Sequence, residues 1–303
     1  MISLIVATKD RVAELGRLLG SLENQVYREF EVIIVDQNPD DRLEAVLREV
    51  EGLTIKHLRC SPGASRARNM GLQAASGEII GFPDDDCWYP IHLLRDISEW
   101  FRAHDKYGGL FGMLRDSDNK RVGPKSPYYP CDCKPATLFT CGATPNGFLR
   151  REVTRTIGFF DERIGLGSPG NYQSGEDADY FIRALERGYQ LRYDPEFTIH
   201  HPNWHAMERV RQRAYSYALG GGFVMRIHPN LKGRFGWTVL RCFGGTIIRF
   251  GQGNREWARA YFLSTVGLLR GFFFGPVEVP RLHQLNGKRD TGISADGTRR
   301  RKV

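Results

Sequence analysis

Nearly continuous apolar runs alternate with helix-like patterns over the first 82 residues. Residues 2–7 and 30–35 are apolar at almost every position, which is typical of strands covered on both faces. The pattern predicts strands at 2–7, 30–35, 54–58 and 78–82, and helices at 12–22, 42–50 and 64–75. Strands and helices that alternate with short connections indicate a mainly parallel sheet with helices on both faces. We therefore predict the α/β fold class.

The remainder of the chain is less regular and changes in composition near residue 204. Residues 108–144 are rich in Gly, Pro and Cys and indicate strands and loops without a clear order. Further elements are predicted as helices at 91–104, 176–187, 206–217 and 256–273, and as a strand at 189–200. We expect a sheet domain at 1–203, a helical, basic and aromatic C-terminal extension at 204–285, and a disordered tail at 286–303.

Polar clusters follow three of the predicted strands. These clusters are Thr8-Lys9-Asp10-Arg11, Asp36-Gln37-Asn38 and Asp84-Asp85-Asp86. The carboxyl ends of parallel strands share one edge of the sheet, and α/β proteins bind ligands there. We expect the three clusters to converge on one site.

The three consecutive carboxylates repel one another unless they are solvated or share a cation. On an extended segment Asp84 and Asp86 can point to the same side. Mg²⁺ and Mn²⁺ are held by one or two carboxylates together with substrate phosphates, so the pair suits a diphosphate ligand. The competing interpretation is a solvated acidic turn, although an apolar strand precedes the triplet and Trp88-Tyr89-Pro90 follows it.

Two segments near the predicted rim could bind a nucleotide. The helix that opens with Ser65-Arg66-Ala67-Arg68-Asn69 carries guanidinium groups that could meet phosphate or organise carboxylates. A solvated helix face explains these arginines equally well. Asp36 could accept a hydrogen bond from a base or ribose, or could simply be a turn residue at a strand end.

Two later segments carry candidate catalytic or metal-binding groups. The run from Gly175 to Asp179 puts three acids in the first turn of a helix, which the helix dipole favours by itself. It also follows a Gly, Ser and Asn-rich loop, where a carboxylate can reach a substrate as a general base. His200-His201 ends the next predicted strand and either completes a metal site or is an ordinary histidine pair.

Composition narrows the choice of ligand and compartment. The chain has 43 Lys and Arg residues against 35 acids, a net charge of +8, which suits phosphate-bearing ligands or anionic lipid. Its six cysteines are scattered, and Cys131, Cys133 and Cys141 lack paired C-x-x-C spacing, so ordinary thiols are favoured over a zinc site. No signal-peptide pattern precedes the first strand, so a reduced, cytoplasmic setting is expected. Arginines interrupt the apolar C-terminal stretches, which argues against a membrane-spanning helix.

Seven motifs in order resemble the family 2 glycosyltransferases, which are inverting enzymes with the GT-A fold. The motifs are Ile-Val-Ala-Thr-Lys-Asp-Arg (5–11), Val-Ile-Ile-Val-Asp (32–36), Ser-Arg-Ala-Arg-Asn-Met-Gly (65–71), Phe-Pro-Asp-Asp-Asp (82–86), Phe-Leu-Arg-Arg-Glu-Val (148–153), Ile-Gly-Phe-Phe-Asp-Glu (157–162) and Gly-Glu-Asp-Ala-Asp (175–179). The resemblance covers residues 1–201, roughly two thirds of the chain. It implies a Rossmann-like sheet and transfer of a sugar from a nucleotide diphosphate sugar to an acceptor hydroxyl.

The resemblance also implies roles for individual residues. The residues implied to contact the nucleotide sugar are Thr8, Asp10, Arg11, Asp36, Arg68, Asp84, Asp85 and Glu176. Asp84 and Asp86 match the pair that binds Mn²⁺ or Mg²⁺, and His201 matches the late histidine, with His200 as the alternative one position away. Asp177 matches the catalytic base. The chain departs from the family pattern at two places. Cys87 stands where family members often carry a fourth acid. Gln37-Asn38-Pro39 follows Asp36, where family members usually have Asp or Asn and then Gly-Ser.

Two other function classes compete with the transferase. A nucleotidyltransferase acting on sugar phosphates would need a Gly-rich phosphate loop after the first strand, and residues 8–11 contain no glycine. The same argument disfavours a dehydrogenase. A non-catalytic nucleotide-sugar-binding or scaffold protein that uses the basic C-terminus stays open.

The aromatic and basic C-terminal third predicts a contact with a membrane surface. Trp237, Phe243 and residues 272–274 alternate with arginines, as in helices that lie on an anionic leaflet. A helical appendage packed on the sheet is the alternative. By analogy with the resembling bacterial enzymes, we expect a saccharide or lipid-linked saccharide acceptor in polysaccharide synthesis and attachment to the inner face of the cell membrane. Nucleic acid is not a predicted partner.

Overall fold

The computed structural model describes residues 1–122, 126–202 and 207–275. Strands within these ranges are Ile2–Thr8 (β1), Phe30–Asp36 (β2), Ile55–Arg59 (β3), Ile79–Gly81 (β4), Tyr107–Arg115 (β5), Cys131–Asp132 (β6), Gly147–Arg150 (β7) and Gln190–His200 (β8). They form one sheet in the order β3-β2-β1-β4-β7-β5-β8-β6. The predicted tail at 286–303 lies outside the described residues.

Helices surround this sheet on both faces. They are Val12–Glu23 (α1), Glu44–Arg48 (α2), Ala64–Ala74 (α3), Leu93–Ala103 (α4), Leu138–Cys141 (α5), Arg151–Ile157 (α6), Glu176–Glu186 (α7), Met207–Ile227 (α8), Lys232–Gly251 (α9) and Arg255–Phe274 (α10). The apolar stripes of α1 and α4 pack on one face of the sheet. Buried side chains of α3, α6 and α7 pack on the other, so two apolar cores enclose the sheet.

The sheet is mainly parallel in the half that the apolar runs predicted. β1 pairs in parallel with both β2 and β4, and β2 pairs in parallel with β3. β7 runs antiparallel between β4 and β5, and β5 pairs in parallel with β8. The predicted α/β class, with a mainly parallel sheet and helices on both faces, is confirmed.

Several elements differ from the sequence prediction. β5 is a buried strand of nine residues inside the stretch that gave no clear order. Its glycines are explained by close packing, because a Cβ at Gly112 would lie 2.1 Å from the Phe197 carbonyl oxygen. The second helix is shorter than predicted, at Glu44–Arg48, and the helix predicted at 206–217 continues to Ile227. The helix Lys232–Gly251, which contains five glycines, was not predicted as a separate element.

The C-terminal helices pack directly against the segment that leads into α7. Gly175 has φ +97°, and a Cβ there would lie 2.8 Å from Val224 of α8. The Ser174 hydroxyl donates a hydrogen bond to the Tyr217 carbonyl oxygen at 2.9 Å. Beyond α8, His228 lies buried between Asp179 and a second α7 carboxylate, with its Nε2 3.1 Å from Asp179 Oδ1. The helical extension therefore supports the first turn of α7.

Candidate active site

The loops after β1 and β2 meet at the carboxyl edge of the sheet. Thr8 and Asp36 are register partners at the ends of the two strands. The Asp10 backbone N–H donates to Asn38 Oδ1 at 2.7 Å, which ties one loop to the other. Asp10 adopts φ +61°, and its carboxylate pairs with Arg42 at 2.5 Å. The two predicted nucleotide-binding clusters therefore lie side by side.

Asp36 is fully buried, and its carboxylate contacts neighbouring residues of this chain. Its Oδ1 accepts hydrogen bonds from the backbone and side-chain nitrogens of Asn38, at 2.8 and 2.7 Å. Its Oδ2 lies 3.2 Å from His57 Nε2. These contacts fix the shape of the loop after β2, and the predicted contact of Asp36 with a base stays a prediction.

Arg11 joins the first cluster to the acidic triplet after β4. Its Nη1 lies 2.8 Å from Asp85 Oδ1 and 2.6 Å from Asp86 Oδ2. Burial raises the pKa of Asp85 to about 6, against the opposing effects of Arg11 and the Thr8 hydroxyl. Asp85 therefore faces the β1 loop, whereas Asp86 contacts Arg11 through Oδ2 and His201, at the end of β8, through Oδ1.

Asp84, Asp86 and His201 come together although residue 201 is distant in sequence. His201 Nε2 lies 3.0 Å from Asp86 Oδ1 and 3.8 Å from Asp84 Oδ2. His201 is fully buried, and Asp86 is 6% exposed. Potential ligand atoms of Asp86, Cys87 and His201 also lie within 4.8 Å of one another, and this is the one such group among the residues that the structure describes.

The donor set at this position fits a divalent cation. Two carboxylates and one imidazole suit Mn²⁺, and the carboxylates also suit Mg²⁺. Burial would lower the pKa of His201, but hydrogen bonds and charge from Asp84 and Asp86 raise it to about 9. The two carboxylates thus make the buried site negative, and this negative charge favours the protonated form of the imidazole. Metal binding at such a site competes with protons.

A clamp formed by Trp88 and His200 fixes which histidine faces the carboxylates. The two residues form an antiparallel bridge, with both backbone hydrogen bonds 3.0 Å long. Their rings stack at 5.3 Å with an interplanar angle of 8°. Arg17 covers the Trp88 ring at 4.9 Å and donates to the Asp86 carbonyl oxygen at 3.0 Å. Because side chains alternate along a strand, fixing His200 in the clamp turns His201 toward Asp86.

Loss of the clamp is expected to weaken metal binding without unfolding the protein. A stacked ring pair contributes about 0.5–1.5 kcal/mol, so His200→Ala should raise the Mn²⁺ Kd about 2- to 10-fold, measured by calorimetry. His104→Ala is the matched control, because His104 stacks on Trp100 at 4.6 Å at the end of α4. Equal effects of the two substitutions on Mn²⁺ affinity would contradict the positioning role of His200.

Arg68 is the hub that connects Asp84, a predicted metal ligand, to α7. Its guanidinium lies 3.5 Å from Asp84, 3.2 Å from Glu176 and 3.6 Å from Asp177. Burial would lower the pKa of Arg68, but the three carboxylates raise it. Arg68 therefore stays charged and pairs with acids from two segments that are distant in the sequence.

Asp177 lies at the first turn of α7 with one oxygen positioned by the backbone. Its Oδ2 accepts a hydrogen bond from the Thr144 N–H at 3.1 Å. Burial raises the pKa of Asp177, while Arg68 and Thr144 oppose the shift. Burial and the neighbouring Asp177 likewise raise the pKa of Glu176. A carboxylate with a raised pKa and a fixed orientation suits a general base.

The Ser-Arg-Ala-Arg-Asn segment organises the loop that faces Arg68. The Ser65 hydroxyl donates to the Ile164 carbonyl oxygen at 2.8 Å. Asn69 accepts from the Phe160 N–H at 2.7 Å and donates to its carbonyl oxygen at 3.0 Å. The motif thus holds the Phe-Phe-Asp-Glu loop beneath the site and leaves Arg68 to face the acids.

The sequence did not single out several supporting residues. Arg17, Arg42, Trp88 and Thr144 act through contacts between segments that are distant in the chain. Thr144 contributes only its backbone N–H, so the type of residue at this position does not predict the contact with Asp177. Trp88 was noticed as part of an apolar flank, but its stacking on His200 depends on the β4 and β8 ends lying together.

Comparison with known proteins identifies a family and a fold that this chain shares. The family model described as glycosyl transferase family 2 matches residues 3–158, just over half of the chain. YwdF, an uncharacterized glycosyltransferase of Bacillus subtilis, is 26% identical over 64% of this chain and 71% of its own length. A GalNAc(5)-diNAcBac-PP-undecaprenol beta-1,3-glucosyltransferase of Campylobacter jejuni is 29% identical over 37% of each chain. The chain thus spans less than half the length of some curated relatives.

Solved structures share the fold at low sequence identity. S. aureus TarS in complex with UDP-GlcNAc aligns with a TM-score of 0.57 and 17% identity, over 90% of this chain and 93% of that one. The mannosyltransferase PcManGT from Pyrobaculum calidifontis, in complex with GDP-Man and Mn²⁺, aligns with a TM-score of 0.57 and 14% identity, over 90% and 87%. These likenesses confirm the GT-A fold. With the family model matching more than half of its residues, the chain belongs to glycosyl transferase family 2.

Proposed function

We propose that this enzyme transfers a sugar from a nucleotide diphosphate sugar to an acceptor hydroxyl with inversion at the anomeric carbon. The observation that carries the proposal is the Arg68 hub, which brings Asp84 and Asp177 within 3.6 Å of one guanidinium. A candidate metal ligand and a candidate base thereby contact one positive group, Asp84 through Nη2 and Asp177 through Nη1. This spacing supports a donor diphosphate and an acceptor hydroxyl bound next to each other.

Asp86, His201 and Asp84 are the residues that would hold Mn²⁺ or Mg²⁺. The 3.0 Å approach of His201 to Asp86 supports this assignment, with Asp86 as the more direct ligand. When bound, the ion stabilises the negative charge of the departing nucleotide diphosphate. Arg68 adds a fixed positive charge beside Asp84. Burial would raise the pKa of Asp84, but His201 and Arg68 hold it below its ordinary value.

Asp177 is assigned as the general base. It takes the proton from the acceptor hydroxyl, whose oxygen attacks the anomeric carbon from the face opposite the diphosphate. The new carbon–oxygen bond forms as the bond to the phosphate oxygen breaks, and the electron pair leaves with the nucleotide diphosphate. The Thr144 N–H holds Oδ2 of Asp177, and Oδ1, which lies 3.6 Å from Arg68 Nη1, is the oxygen proposed to take the proton.

Residues of the β1 and β2 loops are assigned to the nucleotide. Thr8, Asp10 and Arg11 line the nucleotide pocket, and Asp36 contacts the base. Around the sugar diphosphate, the proposed contacts are Arg68, Asp84, Asp85 and Glu176. The convergence of the two loops through Asp10 and Asn38 supports this arrangement.

The acceptor is proposed to be a saccharide, free or linked to lipid, in bacterial surface or exopolysaccharide synthesis. The name of the Campylobacter jejuni relative includes an undecaprenol-linked saccharide, which supports a lipid-linked acceptor. We place the enzyme in the cytoplasm, at the inner face of the cell membrane. Among the described helices, none is sufficiently long and apolar to cross a bilayer.

A donor panel tests the proposed function. Purified protein is mixed with Mn²⁺ and each of a set of UDP, GDP and dTDP sugars, and the melting temperature is recorded. At least one donor should raise the melting temperature in the presence of Mn²⁺ and lose this effect with EDTA. If no nucleotide sugar binds or is hydrolysed, a non-catalytic scaffold role replaces the proposal.

A further inference from the structure

Two stripes of apolar side chains on the C-terminal helices are exposed. Their members recur every three or four residues and are 37–69% exposed: Trp237, Leu240, Phe243, Ile247 and Phe250 on α9, and Phe262, Val266, Leu269 and Phe273 on α10. We call these two rows the outer stripes. Large aromatic and aliphatic side chains that align along a helix and remain in solvent mark an interaction surface.

The opposite sides of the same helices already have packing partners. A Cβ at Gly271 of α10 would lie 2.0 Å from the Leu219 carbonyl oxygen of α8, so these two backbones are in close contact. Phe235 stacks on Phe272 at 3.8 Å and joins α9 to α10. Cys242 and Leu268 are buried. The outer stripes are therefore not an unfilled part of the chain's own core.

The charge around the outer stripes is almost entirely positive. Residues 232–275 contain seven Lys and Arg residues and a single acid, Glu256, which pairs with Arg211 at 3.0 Å. Arg241, Arg249 and Arg270 are exposed. Two copies of such a surface would repel each other, because each carries a charge of the same sign. An anionic partner complements both the apolar and the basic character of these helices.

We propose that the outer stripes lie on an anionic lipid bilayer, with the apolar side chains at the acyl boundary and the arginines at the phosphates. Amphipathic helices with aromatic residues and basic flanks bind such surfaces, and Lys and Arg residues near anionic lipid strengthen the binding. The inference specifies the membrane-bound location in the proposed function, but it stands without that function because lipid binding needs neither donor nor acceptor.

The same helices connect this surface to the active site. α10 packs on α8, and α8 contacts Gly175 directly before the helix that carries Asp177. A membrane bound at the outer stripe of α10 is thus separated from the start of α7 by two helices, α10 and α8. This short connection suits an acceptor that is presented at the bilayer surface.

Vesicle flotation of the full chain tests the inference. We expect binding to vesicles that contain phosphatidylglycerol to exceed binding to pure phosphatidylcholine vesicles by at least about 10-fold at low salt, and to fall at high salt. Equal binding to both lipids, or no binding to either, would overturn the proposal. Concentration-dependent dimerisation without vesicle binding would assign the surface to a second copy instead.

Matched variants test whether vesicle binding depends on the outer stripes or on any exposed apolar or basic side chain. Ile247→Ser should weaken vesicle binding several-fold, whereas Ile91→Ser should leave it unchanged, since both isoleucines are exposed, at 59% and 49%. Arg249→Gln should reduce the salt dependence, and the exposed Arg48→Gln serves as its control. Loss of vesicle binding in all four variants, or in none, would contradict the assignment. Failure of the donor panel would leave these results unaffected.

Discussion

Replacing Asp177 by Asn is expected to lower kcat for sugar transfer by roughly 100- to 10,000-fold, the usual contribution of general base catalysis. Asparagine preserves the shape of the side chain and can still accept the hydrogen bond from the Thr144 N–H. It cannot take the acceptor proton. Because Asp177 acts on the acceptor, the donor Kd should change little, and steady-state kinetics with calorimetry separate the two effects.

The pH dependence of the same reaction identifies the base. The pKa of Asp177 is raised by burial above the ordinary value of about 3.9, against the effects of Arg68 and Thr144. The base must be ionised, so wild-type kcat should fall as the pH falls through this raised pKa. Asp118→Asn, which alters an exposed ion pair with Lys120, is the control and should retain full activity. Full transfer by Asp177→Asn with every donor would refute the assignment.

Replacing Asp86 by Asn is expected to weaken Mn²⁺ binding by at least about 100-fold, because even residues that only support a metal ligand contribute 10- to 100-fold. The variant loses the carboxylate that approaches His201 at 3.0 Å and also pairs with Arg11. Donor binding measured with Mn²⁺ should fall with it. Calorimetric titration of Mn²⁺, with and without nucleotide diphosphate, gives both affinities.

Asp85→Asn provides the contrast within the same triplet. Asp85 turns toward Arg11 and Thr8, so its substitution should leave Mn²⁺ affinity within a few-fold of wild type while altering donor binding. If Asp85→Asn and Asp86→Asn lost Mn²⁺ binding equally, the division of the triplet into metal-binding and donor-binding members would be wrong.

The first half of the sheet could be predicted because each of its strands is recognisable from its own residues, without knowledge of the neighbouring strands. β2 is buried along its whole length and β1 at every position except Ala7, and their apolar runs stand out between polar connections. The polar clusters at their ends then had to share an edge, because parallel strands end together. For the same reason, Thr8 and Asp36 lie side by side as expected.

The central strand β5 could not be predicted from its sequence. Three glycines interrupt its apolar pattern, and they are required by neighbours that the sequence does not reveal. At Gly109 a Cβ would lie 2.5 Å from Leu149 of β7, so the glycine reflects contact with another strand. The adjacent antiparallel β7 is equally inconspicuous, with only four residues.

The choice between His200 and His201 also required tertiary structure. Both residues end the same strand, and strand alternation alone does not say which one faces the carboxylates. Trp88 settles the orientation because its bridge and ring stacking hold His200 away from them. The Arg68 hub is similar, since its motif was visible while its three carboxylate partners come from segments up to 109 residues away.

The configuration of the transferred sugar tests the central claim most directly. Once the donor panel identifies an active nucleotide sugar, proton NMR of the first product gives the configuration at its anomeric carbon. We predict a β-linked product from an α-linked donor, formed only with Mn²⁺ or Mg²⁺ and lost in Asp177→Asn. An α-linked product, or full turnover after the metal is removed, would contradict the proposed mechanism.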